Sequence, residues 1–171
     1  GGYNAQKRLF DSLEEGDVLV MDARQETRSG TLGDILALRA KALGAAGIVT
    51  DGGVRDHDEV VSIGVPTYHS GAHPAVLGRL HVPWGIDETI ACGGTTVQPG
   101  DVIVGDGDGV LVIPPDRLEE LVSAAEVQEA EEAFIARKVT EGHPVNGLFP
   151  MNAEWREVFE SENAPKPGAG A

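Results

Sequence analysis

The spacing of hydrophobic positions changes along the chain, and the changes divide it into elements. Residues 3–15 place Leu9, Phe10 and Leu13 at roughly helical spacing among polar neighbours, and Glu14-Glu15-Gly16-Asp17 breaks the pattern before the apolar run Val18–Met21. That order predicts helix, turn and strand. Residues 23–33 are polar and flexible, carry Arg24, Arg28, Gly30 and Gly33, and read as a loop that could border a site. From Asp34 the apolar residues Ile35, Leu36, Leu38, Ala42 and Leu43 restore a helical pattern, with Gly44 as its C-terminal stop. A short buried strand over 47–51 follows, so strand, helix and strand with short connections predict an α/β crossover.

Beyond Arg55 the pattern predicts a brief helix over 58–63, closed by Gly64 and Pro66, and a strand over 67–70. Residues 71–85, which include His73 and His81, suggest an extended excursion at an edge or a subunit contact. Strands are expected over 89–97, 102–105 and 110–113, separated by the turn formers Gln98-Pro99-Gly100-Asp101 and Asp106-Gly107-Asp108-Gly109. Pro114-Pro115-Asp116 then opens a long helix to about Val139, with Leu118, Leu121, Val122, Ala125 and Ala133 opposite a Glu-rich face. A second helix is expected around 153–159, and a disordered tail over 163–171. The periodicity contains no internal repeat.

Composition narrows the classes. With 171 residues and 41% hydrophobic content, the chain can bury one real core. Thirteen basic against 28 acidic residues give a formal net charge of −15, which disfavours nucleic acid and anionic membrane surfaces as partners. An anionic substrate must therefore be attracted locally, by an arginine, a helix N-terminus or a cation. One cysteine, Cys92, cannot form an internal disulfide, and no apolar run reaches the roughly 18 residues of a spanning helix. A cytoplasmic setting is expected. The chain opens on Gly1-Gly2 rather than Met, so further residues are expected upstream.

The candidate chemistry lies between Gly30 and Glu59. Gly30-Thr31-Leu32-Gly33-Asp34 opens a helix, whose first backbone N–H groups can bind a carboxylate at the positive end of the helix dipole. Thr31-x-x-Asp34 also has the form of a capping box, in which Asp34 would touch no ligand. Arg55-Asp56 could likewise be a plain surface ion pair, worth about 0–1 kcal/mol. The pair nevertheless falls just past a buried strand, where open α/β sheets place ligands, and Gly52-Gly53 permits close backbone approach.

Asp34-x20-Arg55-Asp56-x2-Glu59, with GTLGD before it and DGGVRD within it, resembles the RraA-like family, which includes class II 4-hydroxy-4-methyl-2-oxoglutarate/4-carboxy-4-hydroxy-2-oxoadipate aldolases. Cys92-Gly93-Gly94, Pro99-Gly100-Asp101 and Gly105-Asp106-x-Asp108-Gly109-Val110 are similar to the family's closing strands, so the resemblance runs roughly from Leu9 to Leu121. It implies an α/β fold of the swivelling β/β/α, phosphohistidine-like type over residues 1–115, lacking the family's N-terminal part. A helical extension over 116–162 would follow, with assembly as a homotrimer or hexamer.

The resemblance also implies roles. Asp56 would be the direct protein ligand of Mg2+ (or Mn2+), with Asp34 acting through water. One carboxylate and several waters suit Mg2+, which dehydrates reluctantly. N–H groups near Gly33, Ile35 and Leu36 would hold the carboxylate of a small anionic 2-oxo acid, Arg55 would face its keto or hydroxyl oxygen, and Glu59 would lie in an outer position. Retro-aldol cleavage of a 4-hydroxy-2-oxo acid and decarboxylation of oxaloacetate both pass through a pyruvate enolate, so one site could run both. With no conventional base in the pattern, a water oriented by Asp34 is the candidate for removing the 4-hydroxyl proton. The competing expectation is a noncatalytic regulator that binds a ribonuclease, as some relatives do.

Other residues carry weaker signals. His69 and His73 are four apart, but Pro74 and the surrounding glycines oppose the helix that would align them for zinc. His57 adjoins Asp56 and is expected to be solvated. Asp106 and Asp108 resemble part of a calcium loop without its later glutamate, so a tight hairpin is expected. Cys92, Trp84 and Trp155 are expected to pack.

Overall fold

A computed structural model describes residues 3–163. The expected tail over 163–171 lies, beyond Asn163, outside the described residues. The chain forms two compact units that divide between Pro115 and Asp116.

The first unit begins with α1 (Asn4–Asp11), β1 (Val18–Met21), α2 (Asp34–Ala42) and β2 (Gly47–Thr50). β1 and β2 pair in parallel from Val18↔Gly47 to Met21↔Thr50, with α2 as the crossover between them. α2 stops where its sequence requires. Gly44 adopts φ 80°, its N–H reaches Lys41 O at 3.0 Å, and Ala45 N–H reaches Ala40 O at 3.0 Å. These are the paired bonds of a Schellman motif, which glycine forms without a Cβ penalty.

β3 (Gly53–Val54), α3 (His57–Ile63), β4 (Thr67–Tyr68) and β5 (Gly71–Ala72) follow. β4 adds to β2 in parallel, giving the sheet order β1-β2-β4, while β3 and β5 form a separate parallel pair. The core joins Phe10, Leu13, Leu19, Leu32, Ala37, Ala40, Ile48, Val54, Val60 and Val65. Each of the larger side chains stabilises by roughly 1.5–3 kcal/mol relative to exposure.

α2 faces the core differently from the sequence expectation. Ala37 and Ala40 are fully buried, whereas Ile35 and Leu38 are 70% and 54% exposed. The alanines sit three apart on the inner face with Leu36 and Leu43 packed partly against the core, and this narrow stripe leaves Ile35 and Leu38 outside.

The expected long strand over 89–97 is a hairpin, β6 (Ile90–Cys92) and β7 (Thr95–Val97). Gly93 and Gly94 adopt φ 59° and 83° and reverse the chain between them, as primed hairpin turns require. β8 (Val102–Gly105) and β9 (Val110–Ile113) form a second hairpin. Its tight turn is closed by Asp106, whose Oδ1 accepts the N–H of Asp108 at 2.8 Å and of Gly109 at 3.3 Å. The excursion over 71–85 holds β5 and a single 3-10 turn, Leu77–Arg79. Trp84, expected to pack, is 89% exposed, because that excursion folds little over it.

The second unit contains α4 (Leu118–Thr140) and α5 (Ala153–Asn163). Its buried anchors are Phe134 and Leu148, not Leu121 and Val122, which are 42% and 48% exposed. Phe134 meets the rings of Trp155 and Phe159 edge-on at 6.1 and 5.4 Å, and Arg156 pairs with Glu131 between the helices. No helix among the described residues is long and apolar enough to cross a membrane.

Candidate active site

Three backbone segments meet side by side to form the site. Thr31 N–H donates to Gly53 O at 2.7 Å and Arg55 N–H to Leu32 O at 2.8 Å, so the loop before α2 runs along β3. On the other side of β3, Ser70 N–H donates to Gly52 O at 3.0 Å and His73 N–H to Val54 O at 2.9 Å. Glycines make this spacing possible. A Cβ at Gly52 would stand 2.4 Å from Ala23 Cβ, one at Gly53 2.8 Å from Thr27 O, and one at Gly30 2.7 Å from Arg55 N. Any of these approaches is closer than real Cβ atoms tolerate.

The neighbouring loop over 23–33 is organised by a residue that the sequence did not single out. Asp51, buried at the end of β2, accepts the N–H groups of Ala23 at 2.7 Å and Gln25 at 3.1 Å, and that of Gly93 at 3.3 Å. It thereby holds Arg24 and Gln25 in left-handed conformations, φ 56° and 58°. Its signal was position alone, an Asp directly after a buried strand. Arg28, a candidate at the site from sequence, is engaged elsewhere: it pairs in bidentate fashion with Glu26 and holds that carboxyl down to about 2.

Arg55 and Asp56 follow β3 directly. Asp56 adopts a left-handed conformation, φ 54° and ψ 45°, at the N-cap of α3. Asp56-x-x-Glu59 has the form of a capping box, yet Asp56 makes no side-chain capping bond. The backbone turn carries its carboxylate to Gly33 instead, where a Cβ would stand 2.6 Å from Asp56 Oδ2 and 3.3 Å from an Arg55 guanidinium nitrogen. Arg55 Nε donates to Asp56 Oδ2 at 3.2 Å, and both side chains are just over one third exposed. The two charged groups thus converge on the first turn of α2.

That turn departs from the capping-box expectation. Its N-cap is Gly33, and Thr31 Oγ1 donates to Gly53 O at 2.9 Å rather than capping the helix. Asp34 lies inside the helix, where its Oδ1 accepts Ile35 N–H at 2.8 Å. Ile35 N–H, one of the donors expected to meet a ligand carboxylate, is therefore engaged, whereas Leu36 N–H has no protein acceptor among the described residues. Glu59 is exposed on α3, and its side chain makes no hydrogen bond among the described residues.

Val54, Arg55 and Asp56 line a solvent-open cavity of about 330 Å3, with Ala72, His73 and Pro74 on its other side. His69 stands edge-on to His57 at a ring distance of 5.1 Å, and burial pushes its imidazole below the ordinary value. Among the described residues, no three His, Cys, Asp or Glu side chains gather as a metal cage. The donor set at Asp56 still fits Mg2+. A carboxylate that caps nothing and stays partly open to solvent can hold a hard cation that keeps most of its waters. The same set does not fit zinc, which takes three or four protein ligands.

Comparison with known proteins places the chain by similarity. The profile of the RraA-like family, described as Aldolase/RraA, matches residues 3–112. A protein of Halalkalibacterium halodurans provisionally named a 4-hydroxy-4-methyl-2-oxoglutarate aldolase is 35% identical over 140 residues, which are 79% of this chain and 63% of that protein. The chain thus spans less than two thirds of that relative. The crystal structure of Streptomyces coelicolor RraAS2, described as an unusual member of the RNase ES inhibitor RraA protein family, is similar with a TM-score of 0.74 and 37% identity, covering 77% of this chain and 67% of that one. An uncharacterised protein from Pseudomonas syringae has a TM-score of 0.77 at 28% identity, covering 81% and 69%.

Proposed function

We propose that this chain, which belongs to the RraA-like family, is a carbon–carbon lyase that cleaves 4-hydroxy-2-oxo acids to pyruvate and also decarboxylates oxaloacetate. The observation that carries the reading is the convergence of Arg55 and Asp56 on Gly33, at the start of α2 and on the wall of a cavity. A capping residue would bond to its own helix, and Asp56 does not; its carboxylate pairs with Arg55 and lies against Gly33.

Asp56 would hold a divalent cation, Mg2+ or Mn2+, with Asp34 in support through water. When bound, the cation supplies positive charge against the negative charge that develops on the substrate. The first turn of α2, at Gly33 and Leu36, binds the substrate carboxylate, and Ile35 N–H joins if Asp34 releases it. Arg55 faces the 2-keto oxygen. Asp34 orients a water that takes the proton from the 4-hydroxyl, the C3–C4 bond breaks, and its electron pair enters the 2-keto group as an enolate. Arg55 stabilises that oxyanion with a guanidinium already in place, which costs no reorganisation during reaction. A proton then returns to C3 and gives pyruvate. Loss of CO2 from oxaloacetate leaves the same enolate. The swivelling β/β/α arrangement, trimeric or hexameric assembly and a cytoplasmic setting belong to the same reading, on the strength of family membership.

The test is to supply the protein with Mg2+ and either oxaloacetate or 4-hydroxy-4-methyl-2-oxoglutarate and follow pyruvate through lactate dehydrogenase and NADH. Pyruvate release that stops with EDTA and returns with Mg2+ or Mn2+ is expected. The likeness to RraAS2 favours a second reading, a ribonuclease-binding regulator. No turnover of either substrate, together with tight binding to RNase ES, would establish that reading instead.

A further inference from the structure

The cavity beside Arg55 and Asp56 has a polar wall that the proposed chemistry leaves unused. Val54, Ala72 and Pro74 contribute apolar surface, and the remaining lining residue is His73. Three features fix this imidazole. Its backbone N–H is bonded to Val54 O at 2.9 Å, on the strand that leads into Arg55. Pro74 restricts the backbone of the residue before it. Its Nδ1 accepts the N–H of Ala75 at 3.1 Å, so the proton of the neutral ring sits on Nε2. Nε2–H is then the one polar group the ring has left to offer.

We propose that His73 selects the far end of the substrate, its Nε2–H donating a hydrogen bond to the second carboxylate of a 2-oxo dicarboxylic acid. This rests on the reading of the site as a 2-oxo acid site. Arg55 and Asp56 meet Gly33 on one side and line the His73 cavity on the other, so a ligand whose keto end sits at α2 extends past Arg55 into that cavity. About 330 Å3 accommodates the remainder of a five- or six-carbon acid. The side chains of Val54, Ala72 and Pro74 offer a carboxylate no donor, and Arg55 on the same lining is paired with Asp56 and assigned to the keto oxygen, which leaves the His73 bond to decide between dicarboxylic and monocarboxylic substrates. Pyruvate, which ends at its methyl group, does not reach it.

The experiment is isothermal titration of the Mg2+-supplemented protein with pyruvate and with 2-oxoglutarate, a dicarboxylate that lacks the 4-hydroxyl and is not cleaved by the retro-aldol step. Wild type, His73→Ala, His73→Asn and His73→Gln are compared. The asparagine variant replaces Nδ1 and its bond to Ala75, whereas the glutamine variant places an amide donor near Nε2. His73→Ala and His73→Asn should weaken 2-oxoglutarate about tenfold, the scale of a hydrogen bond to a charged group, and change pyruvate less than about twofold. His73→Gln should recover most of the loss. Unchanged 2-oxoglutarate binding in His73→Ala, equal loss of both ligands, or rescue by asparagine rather than glutamine overturns the assignment while leaving the 2-oxo acid reading intact. Wild-type protein that binds neither ligand overturns both.

Discussion

The carboxylate of Asp56 is folded back over Gly33, so closely that a Cβ at Gly33 would stand 2.6 Å from its Oδ2. The glycine is needed for space rather than for backbone freedom, since φ at Gly33 is −139°, an extended value open to any residue. The freedom is required instead at Asp56, with φ 54°. An aspartate tolerates that region better than most residues, at a cost of about 1 kcal/mol.

Gly33→Ala should therefore damage the site and spare the fold. The atoms it meets are the ends of the Asp56 and Arg55 side chains, which can swing aside. Pyruvate release is expected to fall about a hundredfold, the scale of a 1 Å misplacement of reacting groups. The melting temperature should move by less than about 3 °C.

Gly30→Ala should do the reverse. Its Cβ would press on Arg55 N at 2.7 Å and Arg55 Cβ at 2.8 Å, and backbone atoms cannot step aside alone. A destabilisation of about 2 kcal/mol, within the usual range for overpacking, should appear as a lower urea midpoint.

Asp56→Asn isolates charge from conformation. Asparagine is at home at φ 54°, so circular dichroism and melting should match the wild type. Turnover should drop by roughly a hundredfold or more, because the substitution removes the carboxylate expected to hold the cation. Retained turnover would remove Asp56 from the metal assignment.

Cys92 should be inert in the folded protein. Burial, followed by the nearby charge of Asp51, pushes its thiol up to about 11, so at pH 8 almost no thiolate is available to alkylating reagents. Iodoacetamide should label it only after unfolding. Because the folded value is raised from 9.0, the corresponding stability is present in full below pH 9 and is lost as pH rises toward 11. A Cys92→Ala variant should lack that decline.

The crossover, the paired strands β1 and β2 and the stop at Gly44 were legible because each has a local cause, an apolar run or a positive-φ glycine. Arg55, Asp56 and Gly33 were legible as a set through the family pattern, and the structure brings those three together. Glu59 was named by the same pattern for an outer position; it is exposed on α3 and its side chain makes no hydrogen bond among the described residues. What the sequence could not display depends on nonlocal packing. Asp51 acts by reaching backbone groups 28 and 42 residues away. His73 looked like half of a poor zinc motif, and its place beside Arg55 arises only when β5 pairs with β3. The exposure of Ile35 and Leu38 follows from two alanines taking the inner face of α2, a choice helical periodicity does not make.

The β3 segment, flanked by the 30–33 loop and by β5, is held on both sides through main-chain N–H and C=O groups. Those bonds do not depend on which side chains the three segments carry, the close-approach glycines apart. On the proposed reading, exchange of His73 or its neighbours in the cavity wall would retarget the site to a different acid, while the backbone bonds that position Arg55 and Asp56 stay in register. The cavity wall is then the part of this architecture that side-chain exchange would alter, and the position of the strand end is the part that the backbone bonds fix.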